Sequence, residues 1–232
     1  MKWLTKLMGN APNDAAQTTP APGPLSAPKL EQSIRSLFLP ILRADGFAGS
    51  SRTFHRLAGD MIQVVQVQGA RWGSSFAISL GVHPTCIPVL GDAPQKKIKP
   101  ELCILRRRLS TGSADQWWEH RTSGDSMDSA IKDAAAVFVD FGRPAFENLT
   151  GPNSSLRTLT PAQFEAGQFD FFGFKSTDVL MAKMLALIRL ADGDSQSATA
   201  FARIALDRIG PALGQLRELT AIEQGAWRKE DW

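Results

Sequence analysis

The sequence predicts an α+β fold: a four-stranded antiparallel meander flanked by two helices on one face, followed by a helical C-terminal appendage. Three observations carry this expectation. From Trp72 to Val82, large apolar residues (Trp72, Phe76, Ile78, Leu80, Val82) alternate with small ones (Gly73, Ser75, Ala77, Ser79, Gly81), as in a strand with one face on a core. Leu30–Leu42 and Met127–Phe141 carry apolar residues at three- and four-residue spacing, which lines one face of a helix. Beyond Thr150 the helical pattern takes over.

Taken in order, residues 1–28 read as a short amphipathic start and then a disordered linker, because Pro20, Pro22, Pro24 and Pro28 stand among Ala, Thr, Ser and Gly with little to bury. An α+β domain is expected over 29–150 and the appendage over 151–232. In the first helix Pro40 predicts a kink, since its ring opposes the carbonyl four residues back. Gly46 suits a left-handed cap, with Phe47 folding back onto the core. Strands are expected near 51–57, 60–68, 72–83 and 99–109.

The second strand leaves two arrangements open. A bulge near Val64–Val65 would gather Ile62, Val64, Val65 and Val67 on the core side and put Gln63, Gln66 and Gln68 opposite. Burial on both faces would do without the bulge. Ser113-Ala-Asp-Gln116 has capping-box spacing and predicts a short helix carrying Trp117 and Trp118. Gly142 and Pro144 interrupt the second long helix, leaving Pro144–Leu149 as a separate turn. Thr160-Pro-Ala-Gln163 starts another helix, and three more are expected near 176–191, 195–209 and 212–223.

With 232 residues, 43% hydrophobic content and a net charge of +3, the chain can bury a full core, and its charge does not demand an acidic partner. No apolar run is long enough to span a bilayer, and Met1–Met8 is too interrupted for a secretory signal. Cys86 and Cys103, the two cysteines, suit reduced thiols in the cytoplasm.

The segment from about Leu30 to Leu149 resembles the bacterial domain-of-unknown-function 4304 family. The resemblance is carried by Asp45-Gly-Phe47 with Arg52-Thr-Phe54, by Asp60–Gln68, by Arg71-Trp-Gly73 with Phe76–Val82, and by Arg106–Leu109 with Trp117-Trp118. Gln66 and Ser79 stand where that pattern has Asn. The resemblance implies the fold and carries no activity.

Candidate chemistry is sparse. His55, His83, His120, Cys86 and Cys103 lack metal-ligand spacing, so neither a metal nor a cofactor is expected. Gly69–Gly73 joins strand to strand and reads as a hairpin turn, not a phosphate loop. Arg106-Arg-Arg108, with Arg52, Arg56, Arg71 and Trp72, is the best argument for nucleic acid, although strand alternation lets at most two of the three consecutive arginines project together. Edge protection is their other role. Trp117 and Trp118 could form a stacking platform or pack into the core. A flat face of amides and hydroxyls (Gln63, Gln66, Gln68, Ser75, Ser79) suits contacts better than catalysis, unless the C-terminal helices cover it. The expectation is therefore a non-catalytic protein-interaction module, with an immunity-type protein as one variant, using Gln63, Gln66, Gln68, Arg71, Trp72, Arg106, Arg108 and Trp118. Nucleic-acid binding and an enzyme with an unrecognised site are the alternatives.

Overall fold

The computed structural model describes residues 27–71, 73–89, 94, 97–112, 114–120, 124–209 and 216–226. The expected linker up to residue 26 and the site candidate Trp72 lie outside these.

Helix α1 (Ala27–Ser33) runs through a π-helical turn at Ile34–Phe38 into α2 (Leu39–Ala44). Helix α3 (Gly124–Val137) does the same through Phe138–Gly142 into α4 (Arg143–Asn148). The N–H of Leu39 donates to the Ile34 carbonyl and that of Arg143 to the Phe138 carbonyl, each one residue wider than an α-turn. Both π turns end just before a proline, Pro40 or Pro144. The wider turn accommodates a ring that lacks an N–H and would crowd the carbonyl four residues back. The expected break before Pro144–Leu149 is thereby corrected: the helix continues. At the end of α2 the Gly46 N–H donates to Arg43 O and the Phe47 N–H to Leu42 O, both at 2.9 Å, with Gly46 at φ +83°. This Schellman cap turns the buried Phe47 inward.

The sheet holds β1 (Ala48–Ser50), β2 (Thr53–Ala58), β3 (Met61–Gly69), β4 (Ser75–Pro84) and β5 (Leu105–Arg108), antiparallel and in that order, with β6 (Trp118–Glu119) on β4 beside Ser75 and Phe76. The expected meander is thus present with more strands than the four anticipated. A tight turn at Ser51–Arg52 makes β1 and β2 a hairpin, and the fourth expected strand starts only at Leu105, after a 3₁₀ turn at Pro100–Leu102. The helix expected around Trp117–Trp118 is replaced by β6. Tertiary partners override the local capping signal there: Trp118 stacks on Phe76 at 5.7 Å and its indole N–H donates to Asp133 at 2.9 Å.

Cross-strand partners share a face, so the register assigns both. Phe54, Met61, Val65, Val67, Phe76, Ile78, Leu80, Val82 and Leu105 form the first face, buried against helices α1 to α4. Phe38 meets Phe138 edge-on at 5.5 Å within this core. Ile62, Val64, Gln66 and Gln68 lie on the second face. No bulge interrupts β3, whose pairing with β4 is continuous from Met61–Pro84 to Gly69–Phe76. The arrangement with apolar residues on both faces is therefore the one adopted. What makes it affordable is the 85–104 segment, whose Val89, Ile98, Leu102 and Cys103 cover Ile62 and Val64 in a second, smaller apolar cluster. His55 and His83 hold that segment through Nε2 contacts to the carbonyls of Ile98 (2.6 Å) and Ile87 (2.9 Å).

Helices α5 (Ser155–Thr158), α6 (Pro161–Glu165), α7 (Asp178–Ala191), α8 (Ser195–Ile209) and α9 (Leu216–Glu223) complete the described chain. The capping box of α6 forms as the spacing implies, Gln163 N–H donating to Thr160 Oγ1 and Thr160 N–H to Gln163 Oε1. Apolar residues of α5 to α9 are continuous with the first-face core, through contacts such as Phe146–Phe174 at 5.8 Å. Arg157 ties the two parts together, donating to Asp60 at 2.6 Å and to Asp192 at 2.8 Å.

Candidate functional site

The three glutamines of β3 do different things. Gln63 is fully buried on the first face. Its Oε1 accepts from Arg56 Nε (2.8 Å) and Nη2 (2.5 Å), and its Nε2 donates to Thr150 Oγ1 (2.8 Å) and Phe146 O (3.3 Å). Arg56 also donates to Asp45 O and lies over the Phe47 ring. Burial pulls its pKa down, and the charge of Asp45 opposes that. Gln63 and Arg56 are thus structural, which removes Gln63 from the contact face.

Gln66 and Gln68 lie at the end of the second face beyond the small apolar cluster, where the described residues of the 85–104 segment reach only with Pro100 and Glu101. Both are half-buried, as is Ser79 opposite them. Gln66 Nε2 donates to Thr53 Oγ1 (3.3 Å), and Gln68 Nε2 donates to Gln66 Oε1 and to Glu101 Oε1 (2.7 Å each). Gln68 Oε1 accepts from Ser79 Oγ (3.3 Å) and from Arg108 Nη1 (2.6 Å), and the same Nη1 donates to Ser79 Oγ (2.8 Å). A polar ladder thus crosses four strands. It ends where the Arg108 guanidinium lies 5.4 Å from the Trp117 ring centre and 4.0 Å from Asp115. None of the described residues of α7 to α9 lines this region.

Strand alternation sends Arg106 and Arg108 to the second face, opposite Gly81 and Ser79, and Arg107 to the first. Arg107 donates to the Phe172 and Ser110 carbonyls, which fastens the 170–175 loop. That loop also pairs with the strand edge, Arg106 and Lys175 exchanging backbone hydrogen bonds of 3.1 and 2.9 Å. Two hollows flank β5. One, of about 280 Å³, is lined by Gln68, Ser79, Pro100, Glu101 and the three arginines. The other, of about 220 Å³, shares the arginines and adds Asp115, Gly173 and Lys175.

Of the remaining candidates, Arg71 is exposed at the β3–β4 turn, and Trp118 is only 4% exposed and packed on Phe76. Of this pair, Trp117 is the one on the surface, at 44% exposure. Two adjacent residues of an extended segment face opposite ways, so the helix reading misassigned the pair. Thr53, Glu101, Trp117, Phe172 and Lys175 complete the site and carry no local sequence signal; their proximity comes from cross-strand register and from two loops.

The remaining reactive groups are muted. Burial pushes the Cys103 thiol up to about 12 and the Cys86 thiol up to about 11, and lowers the pKa of His83. Both thiols are therefore protonated near neutral pH and poor nucleophiles. Ellman's reagent at pH 7.5 is expected to leave them unmodified in the folded chain and to titrate both after unfolding; rapid modification of the native protein would contradict this. Among the described residues no three His, Cys, Asp or Glu side chains come together as a metal site, and no helix is long and apolar enough to cross a membrane.

A family model described as a domain of unknown function (DUF4304) matches residues 38–148, which spans α2 to α4 and the whole sheet. No curated protein and no solved structure matches the chain.

Proposed function

We propose from the geometry that this protein is a non-catalytic protein-interaction module; the family model that matches residues 38–148, a domain of unknown function, supplies no activity. The module docks a partner on the open end of its second sheet face. One observation carries the reading: the half-buried ladder Gln66–Gln68–Ser79–Arg108 lies beyond the apolar cluster that the 85–104 segment covers, is met by that segment's described residues only at its Pro100–Glu101 rim, and is lined by none of the described residues of α7 to α9. Amides and hydroxyls on a rigid sheet offer fixed donors and acceptors, and the exposed Trp117 beside them supplies the aromatic rim that interfaces favour. Two unpaired thiols suit a reducing compartment, so we place the module in the cytoplasm.

The test is a photo-crosslinking amino acid placed at Arg106, Trp117 or, as a control on another surface, the exposed Phe141, in cells that naturally make the protein. The expected result is one adduct shared by positions 106 and 117, missing at 141 and diminished by Gln68→Ala. Equal capture at all three positions, or none at 106 and 117, would remove the reading.

A further inference from the structure

The chemistry around β5 narrows what such a partner looks like, an inference that rests on the reading above. The two hollows flanking β5 are lined by four cations (Arg106, Arg107, Arg108 and Lys175) against two carboxylates (Glu101 and Asp115). Arg107 is committed to the Phe172 carbonyl, and Glu101 already accepts from Gln68. Arg106 and Lys175 are both exposed and make no ion pair with the described residues, Arg106 donating to the Glu101 carbonyl at 3.2 Å. Arg108 donates to Gln68 and Ser79 within the ladder, both neutral, and its contact with a described carboxylate is the 4.0 Å approach to Asp115. The excess positive charge is thus concentrated in Arg106, Arg108 and Lys175.

Arg106 and Arg108 are two residues apart on the same strand face, which sets their backbones about 6.6 Å apart. A partner chain in the extended conformation repeats its side chains on one face at that same interval. We propose that the module recognises an extended, acidic protein segment with carboxylates at alternate positions. Arg106 and Arg108 meet successive carboxylates, and Lys175 strengthens the field at the second hollow. The Gln66 amide, which uses one N–H and accepts one bond within the ladder, turns its remaining N–H and lone pair to the segment's backbone, while the saturated Gln68 amide holds the ladder in place. Trp117, 44% exposed, borders the track beside Arg108, and Phe172, 41% exposed, stands on the loop that Arg107 fastens. Phe172 is displayed from a left-handed backbone (φ 53°), a conformation costly for an aromatic residue, and is held there by Arg107.

Glu101 and Asp115 repel any anion that enters the hollows, a phosphate as much as a glutamate, so the match between the Arg106–Arg108 spacing and the two-residue repeat of an extended segment, and not the sign of the charge, carries the choice of occupant.

The experiment is fluorescence anisotropy of the full chain with three labelled peptides of equal length. In one, glutamates alternate with valines; in another, the same residues are grouped in blocks; in the last, glutamine replaces glutamate. Oligothymidylate serves as the nucleic-acid arm. The alternating peptide is expected to bind best, to weaken as salt rises, and to lose about tenfold in affinity with Arg106→Glu or Lys175→Glu. Both variants alter exposed side chains, and an unchanged melting temperature confirms their folding. Indifference to the pattern or to the charge reversals, tighter binding of oligothymidylate, or no peptide binding up to about 1 mM would overturn the inference. The crosslinks at 106 and 117 do not depend on acidity. A partner captured there through a neutral segment would leave the docking reading standing and this inference refuted.

Discussion

Replacing Gly81 by alanine is expected to destabilise the fold by about 2 kcal/mol and valine by more, because β4 and the segment crossing it meet there without room for a side chain. A Cβ at Gly81 would stand 2.6 Å from Cys103 Sγ, 3.0 Å from Cys103 Cβ and 3.0 Å from Pro100 Cα. Sulfur is the closest obstacle, but Pro100 is backbone and cannot rotate away. The change therefore lifts the 100–103 turn off the sheet and opens the small cluster of Ile62, Val64, Val89, Ile98 and Cys103 to water. Urea unfolding measures the loss. Adding Cys103→Ala to Gly81→Ala should recover part of it, with a coupling above about 0.5 kcal/mol. Strict additivity of the two changes would show that the contact is looser than it stands here.

Gln63→Leu is expected to cost about 3 kcal/mol, the largest effect among the polar residues of the sheet. The leucine fills similar space but removes the acceptor of two Arg56 N–H groups and the donor to Thr150 and Phe146 O. It leaves a partly buried guanidinium without its main partner. If that orphaned charge is the cause, Arg56→Met should be far less damaging in the Gln63→Leu background than in the wild type. The same change at Gln66 should cost under about 1 kcal/mol, since that amide is half-buried and reaches water. Equal losses at positions 63 and 66 would contradict the division of labour described for β3.

These contrasts show how much the chain discloses locally. Period-two alternation from Phe76 to Val82 and the helical spacing of Leu30–Leu42 identify their elements without help, as do the Gly46 cap and the Thr160–Gln163 capping box. Each depends on contacts within a few residues. The glutamines of β3 could not be sorted in this way. Gln63, Gln66 and Gln68 share a residue type and a strand, and which face each occupies depends on whether a bulge intervenes. That was decided by a segment more than twenty residues away that could bury Ile62 and Val64. The tryptophan pair failed for a related reason: Ser113–Gln116 is a sound local helix signal, outweighed by pairing with β4 and a stack on Phe76.

The sequence by itself determined the fold class, its principal helices and strands, the match of residues 38–148 to a domain-of-unknown-function model and the alternation that separates Arg107 from Arg106 and Arg108. Those follow from backbone periodicity and short-range capping, which are written in neighbouring residues. Only the tertiary structure decided that Gln63 is buried and Gln66 and Gln68 are not, that Trp117 rather than Trp118 meets solvent, and that Lys175 joins the arginines. Burial and electrostatic neighbourhood belong to residues far apart in the chain, and no local pattern encodes which loop comes to lie over which face.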